Sequence, residues 1–181
     1  MKTDARVRYT KMMIHNVFID LLKEKPVTKI SVTEICERAE INRTTFYKHY
    51  LDVYDLLEQI EKETAEQLKH MLDSRNIGSA RQILLYILDA LKNHREFFFA
   101  LAENGIDKSF LSRLALICYQ YYLPDKASAL STLGEDDERF VQYCFIVGGI
   151  NSIIEYWMRT DMQKPAAELA DSIEHLLALH L

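Results

Sequence analysis

Two helix-start signals stand eleven residues apart in this chain, at Ser31 and Asn42, and they allow only two short helices between Pro26 and an aromatic cluster. Ser31-Val-Thr-Glu34 is a capping box: Ser31 Oγ can accept from the Glu34 backbone N–H, and the Glu34 side chain can reach back to Ser31. Asn42 is a strong N-cap residue. The spacing predicts one helix over 31–40 and a second over 43–50. Val32, Ile35 and Ala39 line the inner face of the first, and Cys36 and Ala39 are small where the second must cross it. Phe46 and Tyr50, four apart, point inward from the second. Two short helices and a tight turn form a helix-turn-helix. The same pattern also fits a plain helical hairpin with one solvated face.

The rest of the chain reads as helices. Met13, Ile14, Val17, Phe18, Leu21 and Leu22 recur at three- and four-residue spacing and predict a helix over 10–24, stopped by Pro26. Asp52 caps a long helix reaching Ser74, with Leu56, Leu57, Ile60, Leu68, Met71 and Leu72 inward and an acidic outer face of Glu58, Glu61, Glu63 and Glu66. Ser79-Ala-Arg-Gln82 is a second capping box opening a helix to Lys92. An aromatic helix over 95–102 ends at Asn104-Gly105, and another runs over 108–122. Residues 124–135 form a loop. A helix over 136–159 is apolar almost all round, and Pro165 opens a last helix carrying Leu169, Ala170, Ile173, Leu176 and Leu177. With 5 Gly, 3 Pro and no strand-like alternation, the expected class is all-α with about nine helices: a three-helix helix-turn-helix domain over 1–55 and a helical regulatory and dimerisation domain over 56–181.

A net charge of −5 argues at first against nucleic acid. Its distribution argues the other way. Residues 1–55 hold ten Lys and Arg against eight Asp and Glu, an excess of two positive charges, so the remainder carries seven negative ones. Arg43 can fork onto guanine, Thr45 can meet a base edge or a thymine methyl, and Tyr47, Lys48 and His49 can reach phosphates. The candidate DNA-contacting set is Arg6, Arg8, Thr33, Asn42, Arg43, Thr44, Thr45, Tyr47, Lys48 and His49. The N-terminus lacks the apolar stretch of a secretory signal, and the most apolar helix is broken by Gln142, Asn151, Ser152 and Glu155, so neither export nor a membrane span is expected. Cys36, Cys118 and Cys144 read as small buried residues in a reducing cytoplasm.

Residues 10–57 resemble the N-terminal domain of TetR-family transcriptional regulators. The run from Ser31 to Tyr50, with Phe46-Tyr47-Lys48-His49-Tyr50 and then Asp55-Leu56-Leu57, carries the resemblance. The sequence departs from the family's pattern at Cys36, where Ala is usual, and at Glu40, where the turn usually has Gly. It departs again at Tyr50, whose hydroxyl wants a partner that the usual Phe does not, and at Val53, where a Lys often touches phosphate. The resemblance implies a homodimer setting two recognition helices in successive major grooves of a near-palindromic operator. It implies repression as the default, and control by a small-molecule effector or protein co-regulator through movement of the fourth helix. The last two helices would pair across the dimer through Phe140, Val147, Ile150, Ile154, Ile173 and Leu177, with Gly148-Gly149 allowing close approach. Gly148-Gly149 to Trp157 followed by Pro165 is similar to a subgroup that includes dihydroxyacetone-kinase operon regulators.

Tyr86, Phe98, Tyr119, Tyr122, Tyr143 and Trp157 are the candidate effector pocket, and ordinary core packing is the competing account of each. No enzyme constellation occurs: no Glu precedes a His by three, and there is no His-Glu-x-x-His, Gly-x-Ser-x-Gly or phosphate-binding glycine loop. No cofactor or metal is expected. The rival to a DNA-binding regulator is a helical adaptor of the same fold that lost DNA binding and acts through protein partners.

Overall fold

The structure, a computed structural model, describes residues 5–74, 79–104, 110–122 and 138–180. Among these residues every regular element is helical: α1 (Ala5–Glu24), α2 (Val32–Arg38), α3 (Arg43–Tyr47), α4 (Val53–Ser74), α5 (Ala80–Asn93), α6 (Arg95–Asn104), α7 (Phe110–Tyr122), α8 (Glu138–Arg159) and α9 (Ala166–His180). A single 3-10 turn, Val27–Lys29, follows Pro26. The expected loop over 124–135 lies outside the described residues, except that α8 is in place by Glu138.

The chain divides into two compact units, residues 1–64 with 96–108, and residues 65–95 with 109–181. In the first, α2 packs on α1 and α3 on α2. Ile14, Phe18, Leu21, Leu22, Ile35, Cys36, Phe46, Tyr50, Leu56 and Leu57 make its core. The aromatic helix α6 is held to α1 at both of its own ends. Lys23 Nζ donates to Glu96 at 2.6 Å, and Asn104 Nδ2 donates to the Leu22 carbonyl at 2.8 Å. In the second unit, α9 packs on α5, and α8 on α7 and α9.

Several elements differ from expectation for identifiable reasons. The basic N-terminal stretch is helical from Ala5, and Thr10 Oγ1 donates to the Arg6 carbonyl one turn back. The capping box is half-formed: Ser31 Oγ accepts from Glu34 N at 3.2 Å, but both Glu34 carboxylate oxygens take Lys25 Nζ, at 2.8 and 2.6 Å. An ion pair outcompetes a neutral reach-back. Glu61 is buried, so the acidic outer face of α4 is Glu58 and Glu66 with half-exposed Glu63. Val53 is buried in the core, which turns a position suited to a phosphate contact into a packing one. Cys36 is buried, and burial pushes its thiol up, whereas Cys144 is exposed rather than buried. Burial raises Cys118 further, to about 12, so it is an inert thiol at neutral pH.

Among the described residues of the first unit, the turn after α2 is the one place where backbone conformation and residue type disagree. Ile41 N–H reaches the Cys36 carbonyl at 3.0 Å and Glu40 N–H reaches Glu37 at 3.3 Å, the two bonds of a Schellman motif. That motif puts its central residue in the left-handed region, and Glu40 has φ 53. A side chain there costs about 1 kcal/mol that glycine avoids. Glu40→Gly is therefore expected to stabilise the protein by up to about 1 kcal/mol, raising Tm by about 2–4 °C; a thermal melt that falls instead would show that the turn carries no strain.

Candidate nucleic-acid interface

Helix α3 spans five residues, Arg43–Tyr47, with Lys48 as its C-cap, and is shorter than the expected 43–50. The chain does not become extended there. His49 N–H and Tyr50 N–H both bond the Phe46 carbonyl, at 2.9 and 3.0 Å, and this tightened turn carries Tyr50 into the core. One and a half turns of helix have no independent stability. The segment is fixed from both ends. Asn42 Oδ1 accepts from Thr45 N at 2.7 Å and from Thr45 Oγ1 at 2.9 Å. Phe46 and Tyr50 are 0% and 2% exposed, with ring centroids 5.5 Å apart.

With those two rings inside, the opposite side of the segment must face solvent. Asn42, Arg43, Thr44 and Lys48 are exposed there, as is Tyr47, 56% exposed with its ring edge-on to Phe46 at 5.7 Å. Contact with Phe46 restricts the Tyr47 ring before any ligand arrives. Thr45 is half-buried, and its hydroxyl proton already serves Asn42, which leaves an acceptor for an outside donor. Thr33 is half-buried on α2. Arg6 and Arg8 are exposed on the first turns of α1. His49 is half-buried, its ring 6.2 Å from Tyr50 and its carbonyl accepting from Gln59 at a long 3.4 Å. Burial, with Lys11 and Lys48 nearby, holds His49 below the ordinary histidine value, so it is neutral at physiological pH. As a neutral group it offers a hydrogen bond to phosphate but no charge.

Ion pairing decides which basic residues are available. Arg38 is bound through both terminal nitrogens to Glu24, at 2.7 and 2.8 Å. Lys25 pairs with Glu34, Lys23 with Asp20 and Glu96, and Lys11 with Glu63. Among the described residues no ion pair engages Arg8, Lys29, Arg43 or Lys48. Lys29, exposed in the 3-10 turn, was not singled out by the sequence pattern, because nothing local distinguishes it from the paired lysines at 23 and 25. The small net excess of positive charge in this region is thus concentrated on a few side chains. Opposing it are exposed Glu40 and the carboxylates at the start of α4. Asp52 Oδ1 caps that helix, accepting from Tyr54 N and Asp55 N at 2.8 Å, and Asp55 Oδ2 accepts from Leu51 N at 2.7 Å. These N–H groups are consequently committed to the protein's own carboxylates.

Of the residues expected to line an effector pocket, Phe98 is buried in the first unit, while Tyr86, Tyr143 and Trp157 belong to the second. Trp157 is 3% exposed and its Nε1 donates to the Lys164 carbonyl at 2.7 Å, tying the end of α8 to the turn before α9. The side chains of Tyr119 and Tyr122 lie outside the described residues. Of the residues expected between subunits, Val147, Ile154 and Ile173 are buried within the chain itself, Ile150 and Leu177 are half-buried, and Phe140 is exposed. Among the described residues no three metal-ligating side chains gather, and no helix is long and apolar enough to cross a membrane.

The chain is similar to known transcriptional regulators. A family model described as a transcriptional regulator C-terminal region, of the TetR type, matches residues 78–178. The HTH-type transcriptional regulator YxbF of Bacillus subtilis is 30% identical over 110 residues, covering 57% of this chain and 29% of that protein. The HTH-type dhaKLM operon transcriptional activator DhaS of Lactococcus lactis is 31% identical over 111 residues, 55% of this chain and 59% of its own length. Both alignments thus span less than two thirds of the relative. A TetR transcriptional regulator from Streptococcus agalactiae shares the fold, with a TM-score of 0.73 at 20% identity over 96% of each chain.

Arg43 and Arg38 carry the same charge within five residues of each other, one unpaired and one locked to Glu24. If the exposed face reads DNA, Arg43→Ala should weaken specific duplex binding by about 1–3 kcal/mol, the range for a base-reading arginine, while Arg38→Ala should leave it nearly unchanged. Fluorescence anisotropy on one duplex compares the two; equal losses would show that only overall charge matters.

Proposed function

This chain belongs to the TetR family of transcriptional regulators, and on that premise we propose that it is a sequence-specific, homodimeric DNA-binding regulator whose reading surface is the exposed face of α3. The observation that carries the reading is the arrangement at 42–50. A helix too short to stand alone is capped, anchored by two buried rings, and leaves Arg43, Thr44, Tyr47 and Lys48 outward. Arg8, Lys29 and the amide of Asn42 extend that surface toward the backbone of a duplex. The residue expectations at 6, 8, 33, 42–45 and 47–49 stand as this proposal, with Thr33 and His49 as peripheral contributors because both are half-buried.

The dimer face we propose differs from the apolar set expected first. Val141, Phe145, Gly148, Gly149, Ser152 and Tyr156 recur at three- and four-residue spacing along α8, and all are exposed. A Cβ built at Gly148 or Gly149 meets nothing within 4 Å, so packing within the chain does not require glycine there. Two helix-interior glycines cost about 1 kcal/mol each relative to alanine. Close crossing by a second copy of α8 would offset that cost and cover Val141, Phe145 and Tyr156, which are 59%, 65% and 71% exposed. Leu176 on α9 is a further exposed apolar side chain of the second unit, 44% exposed.

Repression, by occupying an operator that overlaps a promoter, is the direction we propose, under the control of an effector or protein co-regulator acting on the helices after α4. Activation is the second reading, and the relative named as the dhaKLM operon activator favours it. An adaptor without DNA binding is the reading to beat.

Selection from a random duplex pool with purified protein tests the central reading. An enriched inverted repeat, with affinity falling steeply as salt rises, is expected; no enrichment from a folded dimer would favour the adaptor. A reporter placed downstream of the recovered sequence separates repression from activation by sign. Phe145→Glu and Gly149→Leu should each give a monomer by sedimentation; a dimer unaffected by both would put the interface on another face.

A further inference from the structure

The first unit contains a polar connection that the reading of α3 does not use. Tyr50, where the chain leaves the recognition segment, places its hydroxyl 2.9 Å from His15 Nε2 on α1. The other ring nitrogen, His15 Nδ1, lies 3.9 Å from Glu63 on α4, and Lys11 Nζ stands 3.6 Å from the same carboxylate and 5.6 Å from the Tyr50 ring centroid. Glu63 continues a stripe on α4. Asp55, Gln59 and Glu63 are four apart, and in turn they take the Leu51 N–H, the His49 carbonyl and the His15 ring. Three consecutive turns of α4 thus contact the recognition segment's exit, two through backbone groups and the third through His15.

We propose that His15 is a positioning residue for the recognition segment, holding Tyr50 by hydrogen bond and linking it to Glu63 so that the exit of α3 follows α4. The proposal rests on the DNA-binding reading above. Burial keeps His15 below the ordinary histidine value despite Glu63, with Lys11 acting in the same direction as burial. Burial, with Glu63 and Asp55, likewise holds the Tyr50 phenol far above its usual range. At neutral pH the phenol is protonated and the imidazole neutral; with the Glu63 carboxylate on the Nδ1 side, the proposal assigns the ring proton to Nδ1, which leaves Nε2 to accept from the Tyr50 hydroxyl. The groups facing His15 and Tyr50 are Lys11 on α1, His49 after α3, and Asp55 and Glu63 on α4. Protonating His15 puts a proton on Nε2. The Tyr50 hydroxyl must then turn round to accept from Nε2–H, which leaves its own buried proton without this partner while the ring is drawn toward Glu63. The unfolded chain binds this proton more readily than the folded one, so stability from the neutral pair is full above the ordinary value of 6.5 and declines as pH falls below it.

The experiment uses the full chain and two variants that keep ring volume, His15→Phe and Tyr50→Phe. Affinity for the selected duplex is measured from about pH 5.5 to 8, spanning the range of histidine titration. Near neutral pH each single variant should weaken binding about fivefold, the effect of one hydrogen bond, and the double variant no further. As pH falls, wild type should lose its advantage over His15→Phe. Additive losses, or a ratio constant with pH, would overturn the proposal. In parallel, NMR follows the His15 ring in the free protein. It should titrate below ordinary histidine, and lower still in Glu63→Gln; a titration unmoved by Glu63→Gln would overturn the link to α4. If no duplex binds wild type, the DNA-binding reading fails by itself, and the NMR titration, which needs no DNA, still decides whether His15 joins Tyr50 to Glu63.

Discussion

A five-residue helix cannot hold itself in shape, and everything about the first unit follows from how that deficit is met. Helix formation has a costly nucleus, and α3 is too short to recover it. Its conformation is imposed by the Asn42 cap at one end and by burial of Phe46 and Tyr50 at the other. Anchors on one side leave the other side solvent-facing by geometry. A surface built this way is preorganised, because the groups that define it are fixed by the core rather than by the ligand. The same dependence gives leverage: whatever displaces Tyr50 displaces the segment.

An acidic protein that offers a basic surface has to separate its charges, and this chain does so by pairing. Lys11, Lys23, Lys25 and Arg38 are matched to carboxylates that bind α1, α2, α4 and α6 to one another. Arg8, Lys29, Arg43 and Lys48 are left for an outside partner. Exposed pairs of this kind contribute little stability individually. Their consequence here is selection, since they withdraw some cations from the surface and leave others. Glu40, Asp52 and Asp55 add negative charge near the proposed reading face, which would favour discrimination over unspecific affinity.

What the sequence revealed is local, and what it concealed is long-range. Ser31, Asn42, Ser79 and Pro165 mark helix starts because capping is chemistry within three residues, and each stands where a helix begins. The strain at Glu40 was legible only through the resemblance, which has Gly at the place where the structure forms a Schellman turn with positive φ. That Tyr50 needs a polar partner was legible too. That the partner is His15, thirty-five residues earlier, was not, because no spacing rule links the two. Sequence could not tell paired Lys25 from unpaired Lys29. It also could not assign faces to α8. A helix apolar on every side carries no periodic signal of which side packs inward, so its pattern does not separate Val147 and Ile154, buried within the chain, from the exposed stripe through Phe145 and Tyr156.

In the proposed complex, two copies of the short capped helix read one duplex together. Hydroxyl-radical footprinting of the protein on its selected duplex tests this most directly. Two protected patches are expected on one face of the DNA, about 34 Å apart centre to centre, both lost when Phe145→Glu disrupts the dimer. A single patch, or protection spread evenly along the duplex, would contradict it.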